Sequence, residues 1–290
     1  MLHNEKDRQI ELITADHNAP PENLLLTFGK NFSKILLGLG LIAMLLISMA
    51  NLIIDFMPYH FDRSIQSALQ KLAFPQSKSG SKDIEAYLTE IINKLKRHQD
   101  ELKDIEFQVI YDNSDKINAY AIPGDKILVT RGLWNTVNSE NELAMVLAHE
   151  LGHFKLRHHL KAYGRIGVIM FLMIPFTGQE LGAELMQMIL NGVAFGYQRK
   201  QEIAADDFGL FLMREEYGKQ SAGLTNFLEN IRKKESFASQ FLSHNSTHPS
   251  TKKRIQIIKN KMQDLGFEIG VFTPLKLNNK TPIRGSKDTD

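Results

Sequence analysis

Apolar and polar residues alternate along this chain in several distinct registers, and each predicts a different element. From Ile35 to Met57 the chain reads ILLGLGLIAMLLISMANLIIDFM, and no charge interrupts it before Asp55. That run has the roughly 20 residues needed to cross a hydrocarbon core of about 30 Å. From Asp83 to Leu102, Ile84, Tyr87, Leu88, Ile91, Ile92 and Leu95 recur at spacings of three and four, the mark of an amphipathic helix. Three short stretches, 105–111, 117–122 and 126–130, read as strands. Pro123-Gly124-Asp125 joins the last two as a hairpin. Beyond residue 131 almost everything is helical in period. Ser139 followed by Glu142 fits a capping box, which starts a helix near residue 140.

The remaining segments are weaker in pattern. Residues 1–34 are polar, with Pro20 and Pro21 against any helix, and read as a tail. Phe61 to Phe74 is amphipathic, and 75–81 is a linker rich in Ser, Gly and Pro. Two further apolar runs, Ile166–Phe176 and Leu181–Tyr197, are too short or too interrupted to cross a bilayer unaided. They are read as core or lid helices in preference to an interfacial membrane contact. The expected division is a tail to 34, an anchor over 35–57, a linker over 58–82, a catalytic domain over 83–265 and a tail over 266–290.

Composition narrows the chemistry. The 290 residues carry a formal net charge of +2 with no basic stripe, so nucleic acid is not an expected partner. With no cysteine, any bound metal must rest on histidine and carboxylate. The long polar lead-in argues for a retained anchor over a cleaved signal, although Ser48-Met49-Ala50 resembles a cleavage site. Lys30 and Lys34 precede the span and Asp55 and Asp62 follow it, with Arg63 and Lys71 further out. This leans toward a cytoplasmic N-terminus and an external catalytic domain, as on the periplasmic side of a bacterial inner membrane.

The chemistry centres on VLAHELGHFKLRHH, residues 146–159. On a helix, positions four apart lie about 40° from each other around the axis, so the imidazoles of His149 and His153 can converge on one ion. Glu150 lies on the same side, placed to take a proton from an attacking water without ligating the metal. Gly152 adds no side chain to crowd that approach. The apolar residues Leu143, Ala144, Leu147, Ala148 and Leu151 leave little polar surface for a merely solvated helix.

Two residues compete to be the third ligand. His159 stands at the final position of HExxHxxGxxH, but Leu156 replaces the glycine that would let the chain leave the helix. An unbroken helix would put His159 about 9 Å along the axis, so His158 and His159 are read as a basic helix end. Glu202 and Asp206, four apart in RKQEIAAD, share a face of a second helix. They favour Glu202 as ligand and Asp206 as acceptor for the outward N–H of a ligating imidazole. Ala204 and Ala205 keep that helix slim.

HELGH at 149–153, RKQEIAAD at 199–206, NAYAIPG at 118–124 with TRGL at 130–133, and His248-Pro249 with Arg254 resemble the gluzincin family of the HtpX, CAAX prenyl and Oma-type peptidases. The likeness covers about residues 85–260. It implies an α+β fold, a mostly helical zincin-like domain with a small antiparallel sheet after one transmembrane helix. It also implies zinc, one ion per chain, on His149, His153 and Glu202, with Glu150 as acid/base and Asp206 behind a ligand. Asn118, Ala119, Tyr120 and Ala121 resemble the family's edge strand for extended protein or peptide substrates. His248 resembles a histidine near the active site in parts of the family, or else only packs at a helix start. The HtpX and CAAX branches cross the membrane several times, so this chain is nearer the single-anchor or soluble members. The competing readings are a membrane-tethered peptide-binding or chaperone-like module without turnover, and a metallohydrolase of non-peptide substrates.

Overall fold

The computed structural model describes residues 24–56, 80–122, 124–172, 199–219, 224–226, 228–229, 252–268, 270 and 272–277. The expected amphipathic segment 61–74, the run Leu181–Tyr197 and His248 lie outside these residues. The chain gathers into two compact units, Met1–Ser48 and Met49–Asp290. Helix α1 (Leu24–Phe56) begins in the first. It starts well ahead of Ile35 and takes in Lys30 and Lys34, so the end of the expected polar tail is helical. Over Leu26–Phe56 it is long and apolar enough to cross a membrane, and its apolar side chains face outward.

The second unit is built on α2 (Lys82–Lys96), whose expected stripe is buried in full: Ile84, Tyr87, Leu88, Ile91, Ile92 and Leu95. The helix expected to run to Leu102 breaks after Lys96 and resumes as the short α3 (Asp100–Lys103). At the break, Arg97 and His98 both turn to Glu216. Strands β1 (Gln108–Asp112), β2 (Ala119–Ile122) and β3 (Lys126–Thr130) form one sheet in the order β1-β3-β2. The β2–β3 hairpin is antiparallel as expected, and Gly124 and Asp125 supply the positive φ values, 89° and 57°, that a tight hairpin turn needs. β1 instead pairs parallel to β3, so the sheet is mixed. Pattern identifies a strand but not the direction of its neighbour.

β2 is left on the sheet's edge. Thr130 pins its entry: the hydroxyl donates to Lys116 O (2.6 Å), accepts from Asn118 N (3.0 Å), and caps α4 (Arg131–Trp134) by accepting from Leu133 N. Helix α5 (Glu140–Lys155) is buried from Glu140 to Phe154. Ser139 caps it as expected, accepting from Glu142 N, but the Glu142 carboxylate reaches past Ser139 to Asn138 N at 2.7 Å. A C-terminal strand of chain closes the same end: Thr273 O accepts from Glu140 N (2.8 Å) and Thr273 N donates to Asn141 Oδ1 (2.7 Å). These bonds satisfy N–H groups that a helix start leaves open. Helix α6 covers 158–172, α7 is Arg199–Tyr217 and α8 is Lys252–Asp264.

Candidate active site

Helices α5 and α7 cross at contact distance because both are small there. A Cβ placed on Gly152 would lie 3.0 Å from Ala205 Cα and 3.0 Å from its carbonyl oxygen. One placed on Gly209 would lie 3.3 Å from His149 N. Gly152 therefore serves the crossing rather than the approach of Glu150, and Ala205 is slim for the reason the sequence suggested. The crossing carries Glu202 to the two histidines of α5.

His149 Nε2 lies 3.0 Å from His153 Nε2, 3.6 Å from Glu202 Oε2, and His153 Nε2 lies 3.4 Å from Glu202 Oε1. Ligands about 2.0–2.1 Å from a tetrahedral ion stand about 3.3 Å apart, so this donor set fits one metal ion. All three side chains are buried. His159 is not in this cluster.

The rear nitrogen of each imidazole is also engaged. His149 Nδ1 donates to Asp206 Oδ1 at 2.9 Å, which leaves Nε2 with its lone pair toward the metal position. His153 Nδ1 lies 2.9 Å from His158 Nδ1. For His153 to present a lone pair at Nε2, its Nδ1 must carry the proton and His158 must accept it. Burial, and then Lys161, push the His158 pKa down to about 3, so that imidazole is neutral.

This overturns the reading of His158 and His159 as a cationic helix end. The helix does break, at Arg157, which takes a left-handed φ of 54° without help from glycine. The turn swings His158 back onto His153. His159 lies fully inside against Phe154, ring centroids 4.9 Å apart, with its pKa lowered to about 4 by burial.

Arg254, on α8, belongs to the His248-Pro249…Arg254 motif, whose spacing alone assigns it no role. Its guanidinium grips Asp206 with two contacts of 2.6 Å and reaches Glu202 Oε2 at 2.6 Å through Nη1. It is 5% exposed. Burial opposes its charge, but Asp206, Glu202 and Glu150 outweigh burial and raise its pKa. Burial likewise works to raise Asp206, and hydrogen bonds from Arg254 and His149 hold it below the usual carboxylate range. The available signal was a basic residue four positions before Ile258, on the apolar stripe of its helix.

Glu150 is buried beside this cluster, and its Oε2 accepts from Ala121 N at 2.9 Å. The N–H of Ala121 thus points away from β3 toward α5. Ala119, Tyr120 and Ala121 lie in edge strand β2, with Asn118 just before it. The expected base, metal ligands and edge strand therefore meet in one place.

Comparison with known proteins agrees with that geometry. The chain is 33% identical over 162 residues to mitochondrial metalloendopeptidase OMA1 of Schizosaccharomyces pombe, covering 54% of this chain and 47% of that one. It is 30% identical over 159 residues to metalloprotease YcaL of Escherichia coli K12 (53% and 61%), and 24% identical over 196 residues to the beta-barrel assembly-enhancing protease of that strain (61% and 39%). The chain thus spans less than two thirds of each relative. Residues 79–262, more than half of the chain and including every described site residue, match the profile described as Peptidase family M48. The chain belongs to peptidase family M48.

Proposed function

We propose that this protein is a membrane-anchored zinc endopeptidase that hydrolyses peptide bonds in protein substrates. The observation that carries this reading is the meeting of His149, His153 and Glu202 at ligand spacing beside Glu150 and the edge of β2. Bound zinc would polarise the scissile carbonyl and acidify a water. Asp206 and His158 fix the tautomers of the two ligating imidazoles. Arg254 holds Glu202 Oε2, leaving Oε1 turned toward His153. Glu150 takes the proton of the attacking water and returns it to the leaving amine. Ala119 and Ala121 offer backbone groups to an extended substrate, which adds as a strand. α1 anchors the domain, and Lys30 and Lys34 on its N-terminal side favour placing the catalytic unit externally.

The test pairs two variants. Glu150→Gln should keep stoichiometric zinc and the wild-type far-ultraviolet spectrum while losing cleavage of an unfolded protein substrate. Glu202→Ala should lose the zinc. Wild-type turnover by Glu150→Gln would remove Glu150 from the chemistry, and unchanged zinc in Glu202→Ala would remove that ligand.

A further inference from the structure

The chain leaving the catalytic helix is fastened to the end of α1 that belongs to the same unit. Arg157 Nη1 donates to Ile54 O at 2.5 Å, and Lys161 Nζ pairs with Asp55 Oδ1 at 2.5 Å. A Cβ on Gly164 would sit 3.3 Å from Ile54 Cδ1 and 3.9 Å from Ala50 Cβ. From residue 157 to residue 164 the neighbours on α1 thus shift from residues 54 and 55 to 54 and 50. The start of α6 is therefore held against residues 50–55 of α1.

The charges of α6 lie in its first half. Lys161 and Arg165, four apart, share one face of the helix, and Arg157 stands at the turn just before it. From Ile166 to Leu172 there is no charge. Ile166 and Met170 face inward, but Ile169 is 44% and Phe171 71% exposed. Apart from Phe211 and Phe272, every strongly exposed large apolar side chain among this unit's described residues sits on the end of α1 or on α6. Single exposed apolar groups need no explanation, but their concentration on these two helices does.

We propose that residues 165–172 of α6 are a lipid-contact surface. Ile169 and Phe171 enter the bilayer, and the basic residues Arg157, Lys161 and Arg165 stay at the headgroups, where long cationic side chains are favoured. This departs from the expectation of a core or lid helix: Ile166 and Met170 keep that role on the inward face, while Ile169 and Phe171 stand on its two outer flanks. It rests on the anchor reading of α1, since lipid must be present at that end of the unit. Because α6 begins at His158, which holds His153, the contact fixes the height of the catalytic centre above the bilayer. Phe171 lies about 20 Å along the helix axis from His158.

The absence of native cysteine allows single-site labelling of the full chain. Phe171→Cys and Ile169→Cys, each carrying an environment-sensitive fluorophore, are reconstituted into phosphatidylcholine–phosphatidylglycerol vesicles. Leu45→Cys in α1 and Lys103→Cys on α3 serve as membrane and aqueous references. At 169 and 171, spin-labelled lipid should quench several-fold more strongly than at 103, and aqueous iodide several-fold less. If Leu45 is quenched by lipid while 169 and 171 follow Lys103, the lipid contact fails and the anchor stands. If Leu45 is also inaccessible to lipid, both fail together. Protection of 169 and 171 from both quenchers would show that protein covers them and would equally overturn the proposal.

Discussion

The proposed metal centre depends on how closely two helices approach, and Gly152→Val tests that dependence. At the crossing, even a single Cβ on residue 152 would sit 3.0 Å from backbone atoms of Ala205, whereas carbon atoms rest comfortably at about 3.5–4.0 Å. Valine adds two methyls to that Cβ, so α7 must retreat by at least about half an ångström or tilt. Sliding along the axis brings no relief, because Gly209 is already against His149 N. Overpacking of this kind costs about 1–3 kcal/mol, offset only by the few tenths gained when a helical glycine is replaced by valine. The larger effect falls on the metal. The nitrogen–oxygen separations of 3.4 and 3.6 Å are already at the upper edge of a tetrahedral set, and Glu202 would move out with α7. The variant should lose zinc at a chelator-buffered concentration that saturates the wild type, and its thermal midpoint should fall. Gly167→Ala is the control: nothing lies within 4 Å of its Cβ, and it should stabilise by up to about 1 kcal/mol. Wild-type zinc retention and midpoint in Gly152→Val would refute the view that this crossing sets the ligand geometry.

Arg254→Met leaves Asp206 buried without its twofold partner and should cost the metal-free protein about 3–5 kcal/mol in denaturant unfolding; a loss under about 1 kcal/mol would show the pair to be dispensable. Thr130→Val removes the α4 cap and the bonds to Lys116 and Asn118, with an expected loss of about 2 kcal/mol and faster amide exchange in β2. At high pH the relevant groups are Tyr87 and Tyr217. Burial and the adjacent Glu140 carboxylate raise both phenols, so the folded state resists their ionisation. Their contribution to stability is full below about pH 10 and is lost as pH climbs beyond it. Alkaline unfolding should therefore begin there. Ultraviolet titration should show their ionisation delayed relative to exposed tyrosines, and Glu140→Gln should shrink the delay.

Where the signal is periodic or punctuated, the sequence was legible. The α2 stripe, the hairpin turn and the Ser139 cap needed only local chemistry, and the structure shows each of them. The spacing within HELGH and within RKQEIAAD likewise fixes one helical face each, but spacing alone leaves His159 open beside Glu202, and it is the crossing of α5 and α7 that brings Glu202 to His149 and His153. Local chemistry does not say which way β1 runs beside β3, because a strand's side-chain period is the same in either direction.

The break between α5 and α6 is the instructive failure. A left-handed turn is expected at glycine, and Leu156-Arg157 offers none. Continuous helix is therefore the natural reading of the sequence, and with it comes the placement of His158 in a basic helix end. Arg157 accepts that conformation within a long-range arrangement, with its guanidinium on the carbonyl of Ile54, roughly a hundred positions away in the chain. No window of sequence around residue 157 contains that partner. The consequence reaches the chemistry, because the turn supplies the acceptor behind His153. Arg254 teaches the converse. Its signal was local, a cation on an apolar helical stripe, but its role required knowing that Glu202 and Asp206 lie opposite. Buried charges of one sign on one helix demand a counter-charge from another element, and a basic residue out of place on a distant apolar face is where to look for it.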